Sequence, residues 1–195
     1  LDSTSPNPSV ETLLHAFLPH KLIDHTHANS VLALSDQPNG EKLCREIYGD
    51  RMGYVPYIMS GFALAKKANE VYQQNPDVEG LVLHKHGVFT FAETAKQSYE
   101  RMITVCSQAE ARIKQGRKKS LVSVSLLKRS APAAAIAPIL RGLTAIDGKP
   151  MSMDFRTSKS VRAYVDGKDV AKYSQLGTVT PDHVIRTKPL PLIVP

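Results

Sequence analysis

The chain has 195 residues and a mass of 21.4 kDa, with 42% apolar and 22% charged residues. That length suits one domain, or one with a sizeable appendage, and the balance excludes collagen-like, low-complexity and coiled-coil classes. Twenty-five basic against eighteen acidic residues leave a formal charge of +7, which suits anionic partners such as phosphorylated metabolites. With 6% aromatics and no Trp, stacking platforms for single-stranded nucleic acid are poor. A nucleic-acid-binding reading rests on charge alone, and no nucleic-acid partner is expected. Two cysteines, Cys44 and Cys106, are too few for a disulfide framework and fit a reducing compartment. No apolar run approaches the roughly 20 residues needed to cross a bilayer. Residues 1–6 carry no basic-then-apolar leader pattern, so the expectation is a cytoplasmic protein without a membrane partner. The first residue is Leu1 rather than Met, as expected of a fragment or a processed chain.

In chain order, Asn7 and Pro8 predict a helix start, with Asn7 as cap and Pro8 in the first turn. Val10, Leu13, Leu14, Phe17 and Leu18 form its apolar stripe, and Pro19 stops it. Glu11 and His15, four apart, share its polar face. Residues 22–34 read as a strand running into a short helix, and residues 36–40 as a turn. After residues 53–57, Ser60 is placed to cap a helix carrying Leu64, Ala68, Val71 and Tyr72, which Asn75-Pro76 ends. Residues 80–87 read as one strand, rich in branched residues and closed by Gly87. Thr90 and Glu93 form a capping-box pattern ahead of a helix with Ala95, Tyr99, Met102, Cys106, Ala109 and Ile113 as its apolar seam. Beyond this the character changes. Lys114, Arg117, Lys118, Lys119, Lys128 and Arg129 make a basic, solvated stretch. Residues 131–146 suggest a helix interrupted by Pro138, and residues 151–195 short strands and turns. The division is therefore a regular core over residues 1–117 and a C-terminal extension or linking module over residues 118–195.

The chemistry concentrates in the histidines. His25 and His27 are spaced by two where a strand begins, so they project from one face. Neutral imidazoles are good zinc ligands, and a catalytic zinc often has three protein ligands and an open position. His86, next to Gly87, is the best-placed third ligand; His84 lies on the same predicted strand face, so spacing leaves it open. His15 and His20 read as a packed helix-face residue and a surface residue, and the isolated His183 as structural. Glu11 is the carboxylate that can act as general acid and base beside a divalent cation. The same residue reads equally well as a first-turn acid stabilised by the helix dipole.

At these positions the chain resembles the class II aldolase/adducin family, whose motifs are a Pro-Ser-x-Glu helix start, a His-x-His and a late His-Gly. Here they are Pro8-Ser9-Val10-Glu11, His25-Thr26-His27 and His86-Gly87, in the same order. The chain is most similar to the aldolase portion of bifunctional rhamnulose-1-phosphate aldolase/short-chain dehydrogenase proteins. That similarity is carried by residues 11–19, residues 85–91 and the closing stretch 177–188. It implies an α/β fold, a class II aldolase-like α/β/α sandwich with a mainly antiparallel central sheet, plus a C-terminal β-containing extension. It also implies that His25, His27 and His86 bind the metal, Zn2+ or another divalent ion. Glu11 would then be the catalytic acid/base, Ser9 would contact substrate phosphate, and His84 would be a non-ligand. Thr12 and Leu13 depart from the more aromatic pair of the fuculose-type enzymes.

The implied activity is a carbon–carbon lyase cleaving a ketose 1-phosphate, such as rhamnulose 1-phosphate, by a retro-aldol reaction through a metal-bound enediolate. Tyr48, Tyr54, Tyr57 and Tyr99 are unranked candidates for the acid on the aldehyde side. His183, Arg186 and Lys188 are candidates for a phosphate contact. Relatives carry an N-terminal Gly-Asn-Thr/Val-Ser phosphate loop that is not found here, and a dehydrogenase domain is expected C-terminal; no G-x-G-x-x-G occurs. The resemblance implies a homo-tetramer, and the missing parts leave the isolated chain as an expected inactive fragment. The rival readings are an epimerase or dehydratase of sugar phosphates on the same scaffold, and an adducin-like interaction module that has lost its metal.

Overall fold

A computed structural model describes residues 4–116 and 131–194. The described elements begin with helix α1 (Thr12–Phe17), strand β1 (Leu22–Thr26), α2 (Asn29–Ser35) and α3 (Gly40–Tyr48). A 3₁₀ turn at Gly49–Arg51 leads into β2 (Met52–Val55), followed by α4 (Phe62–Gln74), β3 (Gly80–Leu83), β4 (Gly87–Ala92) and α5 (Ala95–Gln115). Helices α6 (Ala133–Leu143), α7 (Lys159–Val165), α8 (Val170–Tyr173) and α9 (Pro181–Arg186) complete the order. The molecule divides into two compact units, Leu1–Arg117 with Gly177–Leu190, and Lys118–Leu176 with Pro191–Pro195. Among the described residues no helix is long and apolar enough to cross a membrane.

The first unit is an α/β/α sandwich around a four-stranded sheet of order β1-β4-β3-β2. The β1–β4 and β3–β4 pairs are antiparallel and β2–β3 is parallel, so the sheet is mainly antiparallel, as the family resemblance implies. β3 and β4 are buried along their whole length, which is why they read as near-continuous apolar runs rather than alternating ones. Alternation survives in where the side chains go. Leu81, Leu83, Phe89 and Phe91 join Leu14 of α1, Leu18 just after it, and Leu64 and Ala68 of α4 on one face. Val82, Val88 and Met52 join Val31, Cys44, Met102 and Val105 on the other. Fully burying each Val, Leu, Phe or Met among them stabilises the fold by roughly 1.5–3 kcal/mol.

Several elements differ from the sequence reading, each for a local reason. α1 starts at Thr12 with Glu11 as its cap residue, because the Ser9 carbonyl and hydroxyl take the Thr12 and Glu11 N–H groups and hold a turn ahead of it. Only Leu14 is fully buried within α1, while Val10 and Leu13 are exposed. Residues 80–92 are a hairpin and not one strand: residues 84–86 turn the chain through Lys85, which has φ of 58°. Thr90 is therefore a buried strand residue, and Thr94 caps α5 by accepting the Gln97 N–H at 3.3 Å. The buried stripe of α5 runs through Ser98, Met102, Val105 and Ala109, leaving Tyr99 exposed. Polar Ser98 is accommodated because it and Thr90 exchange hydroxyl-to-carbonyl hydrogen bonds of 3.2 and 3.0 Å. His20 is packed and not on the surface, stacked on Phe91 at 4.1 Å. α3 and β2 occupy residues that the pattern left unassigned.

In the second unit α6 continues through Pro138 instead of breaking there. The β content expected beyond residue 118 comes down, among the described residues, to one isolated bridge, Ile146–Lys149. Short helices stand where strands were expected. Ser158 caps α7 by accepting the Val161 N–H at 3.3 Å. In the first unit's closing segment, Pro181 opens α9, a position where its fixed φ and missing N–H cost nothing. Asp166 is the C-cap of α7, and the Gly167 N–H bonds back to the Tyr164 carbonyl at 3.3 Å. Residues 117–129, which carry most of the basic stretch, lie outside the described residues.

Candidate metal centre

Three parts of the first unit meet at one end of the β1–β4 pair. His25 lies on β1 opposite Phe89, and its ring stacks on the buried Phe89 ring at 4.0 Å and 10°. His27 follows two residues later, just past the strand, so it stays on the same side. His86 comes from the β3–β4 turn and is 6% exposed. Glu11 caps α1 and reaches the same point. Gly87 makes the approach possible: a Cβ there would stand 2.5 Å from the Thr26 carbonyl oxygen and 3.0 Å from both His25 Cε1 and His27 Cδ2.

Glu11 Oε1 is 2.9 Å from His86 Nε2 and 3.5 Å from His25 Nε2, and His25 Nε2 is 3.1 Å from His27 Nε2. One ligand atom from each of the four residues lies within 4.8 Å of all the others. Each imidazole is held from behind through Nδ1: His25 by the Val88 carbonyl at 3.1 Å, His27 by Asp182 Oδ2 at 3.1 Å and His86 by Ser60 Oγ at 3.0 Å. A carbonyl and a carboxylate can only accept, so His25 and His27 carry hydrogen on Nδ1. In the neutral rings, two Nε2 lone pairs then face each other across 3.1 Å. That is repulsive unless a proton or a cation sits between them, and nitrogen donors with a carboxylate alongside are a ligand set for zinc and related divalent ions. The residues present fit a metal.

The electrostatics agree. When the His25 ring carries hydrogen on both nitrogens, its hydrogen bond is the largest influence on Glu11 and holds the carboxyl down at about 2, against burial, which works the other way. Burial pushes the His86 imidazole below its ordinary value, with the His25 charge adding to it and Glu11 opposing. Both shifts favour the forms that ligate a cation, ionised carboxylate and neutral imidazole.

The structure thus brings Glu11, His25, His27 and His86 together. Ser9 is exposed beside them, its Oγ accepting the Glu11 N–H at 3.2 Å. His84 is separated from His86 by the turn at Lys85 and hydrogen-bonds the Tyr54 hydroxyl. Of the tyrosine candidates, Tyr48 is buried and donates to the Val105 carbonyl at 3.3 Å. Tyr54 is tied to His84, with burial pushing its hydroxyl up to about 12. Tyr57 and Tyr99 are 57% and 62% exposed. His183 hydrogen-bonds Thr180 at 2.7 Å, and Arg186 and Lys188 are exposed. Asp182 and Ser60 have no site role in the sequence reading. The only local signal for Asp182 is an acid in a first helical turn, which normally means a dipole contact; Ser60 looks like a cap.

Residues 1–113 match the family model described as "Class II Aldolase and Adducin N-terminal domain", and residues 131–195 match "Aldolase class II, second domain". The Bacillus subtilis (strain 168) protein named "Uncharacterized oxidoreductase YuxG" is 35% identical over 201 residues, a match over 100% of this chain and 29% of that protein. The chain therefore spans less than a third of that relative. A solved structure, the N-terminal class II aldolase domain of a conserved protein from Thermoplasma acidophilum, is 39% identical with a TM-score of 0.53 over 57% of this chain and 51% of that one.

Proposed function

The chain belongs to the class II aldolase and adducin family, and from that premise we propose that it is the lyase module of a metal-dependent aldolase acting on a ketose 1-phosphate such as rhamnulose 1-phosphate. The observation that carries this reading is the convergence of the Glu11 carboxylate with three imidazole nitrogens, since a binding module has no use for that set. His25, His27 and His86 are the residues that would hold the cation, zinc by donor type. When bound, it would supply Lewis-acid stabilisation of the negative charge that develops on substrate oxygens as the carbon–carbon bond breaks.

The chain's own residues do the rest. Phe89 and the Val88 carbonyl lock the His25 ring, and Ser60 locks His86, so the charged centre is preorganised. Glu11 Oε1 gives and takes the proton on the three-carbon fragment. The Ser9 hydroxyl, already accepting from Glu11, keeps its hydrogen free for a substrate phosphate oxygen. In this reading residues 1–117 are the aldolase-like core and residues 118–195 a C-terminal extension. The relative's name and the 29% of its length that is matched support a dehydrogenase domain fused beyond this chain. The free thiols Cys44 and Cys106 support a cytoplasmic setting. Assembly as a tetramer belongs to the same proposal.

In the longer protein, Glu11→Gln is expected to slow cleavage of a ketose 1-phosphate by about 10²–10⁴-fold while metal analysis still finds one ion per chain. His27→Ala is expected to lose both metal and turnover. Undiminished turnover in Glu11→Gln rejects the role of Glu11. Epimerisation or dehydration in a panel of sugar phosphates, without cleavage, rejects the aldolase.

A further inference from the structure

The sequence reading draws from the stretch Gly177–Lys188 only a share of the family likeness and three phosphate-contact candidates, His183, Arg186 and Lys188, and the segment Gly177–Leu190 is part of the first unit although 59 residues separate it from Arg117. We infer that it is a working part of the metal centre, with Asp182 as the positioning residue that fixes His27 as a ligand. Asp182 Oδ2 accepts a hydrogen bond from His27 Nδ1 at 3.1 Å, across 155 positions of sequence. The carboxylate is delivered by a held segment. Thr180 is 4% exposed and ahead of α9, Thr178 Oγ1 donates to its carbonyl at 3.3 Å, and its own hydroxyl is bound to His183. Residues 177–180 and His183 line a groove with Asn29 and Ala33 of α2, the helix that begins two residues after His27.

The three imidazoles differ in what stands behind them. His25 has a backbone carbonyl and His86 a hydroxyl; His27 alone has a charged acceptor. A carboxylate on the far nitrogen fixes the tautomer that presents Nε2 and raises its basicity toward a cation. The competing explanation is a first-turn acid making a half-exposed ion pair, which contributes little and changes no ligand. Asp182 is 48% exposed, so its substitution leaves the packed core untouched and the two explanations separate cleanly.

The inference rests on the metal reading proposed above, so the test reads cation binding directly and not turnover. The metal-free full chain is titrated with Zn2+ against a chromophoric chelator, and with Co2+ followed by its visible absorption. Asp182→Ala is expected to weaken Zn2+ binding by about 10–100-fold and to alter the Co2+ spectrum. Asp182→Asn, which keeps an acceptor and drops the charge, should fall between it and the wild type. Ser60→Ala, which removes a neutral partner, should weaken binding less than Asp182→Ala. Wild-type affinity and spectrum in both Asp182 variants overturn the positioning role alone. A wild-type chain that binds neither ion overturns the metal reading and this inference with it.

Discussion

Helices α5 and α6 carry the lesson of the two units. α5 spans Ala95–Gln115, mixes charged and apolar residues, and buries Ser98, Met102, Val105 and Ala109. α6 spans Ala133–Leu143, has Arg141 as its only charged residue, and buries none of its side chains. Ile139 and Leu143 stand 63% and 78% exposed. The difference is what each helix has to pack on. A sheet buried on both sides gives α5 a continuous apolar surface; the second unit has a single isolated bridge among its described residues, and only Gly167 and Ser174 of its described residues are buried. Apolar content alone does not bury a helix. A complementary layer does.

The sharpest way to break this comparison is to remove a side chain from the sheet. Phe89 is fully buried and lies under the His25 ring, so Phe89→Ala is expected to cost about 3–5 kcal/mol in urea unfolding. It should also loosen His25. A loss below about 1 kcal/mol would mean that the first unit is not held together by its sheet. Gly87→Ala should come next. The added methyl has the Thr26 carbonyl oxygen at 2.5 Å and two histidine ring carbons at 3.0 Å, a degree of overpacking that costs about 1–3 kcal/mol. Because the rings are displaced, Zn2+ affinity should fall in the same variant, and retained affinity would show that the turn can yield without moving the ligands. The smallest effect belongs to the second unit. Leu143→Ala, at an exposed position of α6, is expected to change unfolding free energy by no more than about 0.5 kcal/mol. A cost of several kcal/mol there would show that α6 is covered in solution by a second copy or by the rest of a longer chain.

Much of the site was legible because its parts are local patterns. His-x-His on a strand places two rings on one side by the period of the backbone, and His25 and His27 do share a side. The Pro-Ser-x-Glu motif marks the helix that carries Glu11, although that helix starts at Thr12 and Glu11 is its cap residue and not part of a first turn capped by Asn7. His84 and His86 show the opposite case. They read as one strand face, yet the φ of Lys85 turns the chain between them and sends one ring to Glu11 and the other to Tyr54. A positive φ at Lys has no sequence signature, whereas at Gly or Asn it would have been suspected. The buried stripe of α5 was misplaced for a related reason. Ser98 is polar by type, and only the reciprocal bonds with Thr90 make it a core residue.

By itself, then, the amino-acid order determined the α/β class of the first unit, the identities of the candidate ligands and the carboxylate beside them. The class and the shared side of His25 and His27 follow from repeats of two and of about 3.6 residues, which the backbone imposes within any one element; the choice of His86 over His84 and the role of Glu11 came from the family motifs. The register that seats His25 over Phe89 was decided only in three dimensions, as was the turn that separates His84 from His86. The reach of Asp182 back to His27 across 155 positions belongs with them. The register arises from burying both faces of the sheet at once, and the Asp182 contact from the return of a distant segment; each is a condition satisfied jointly by separate parts of the chain and written in none of them alone.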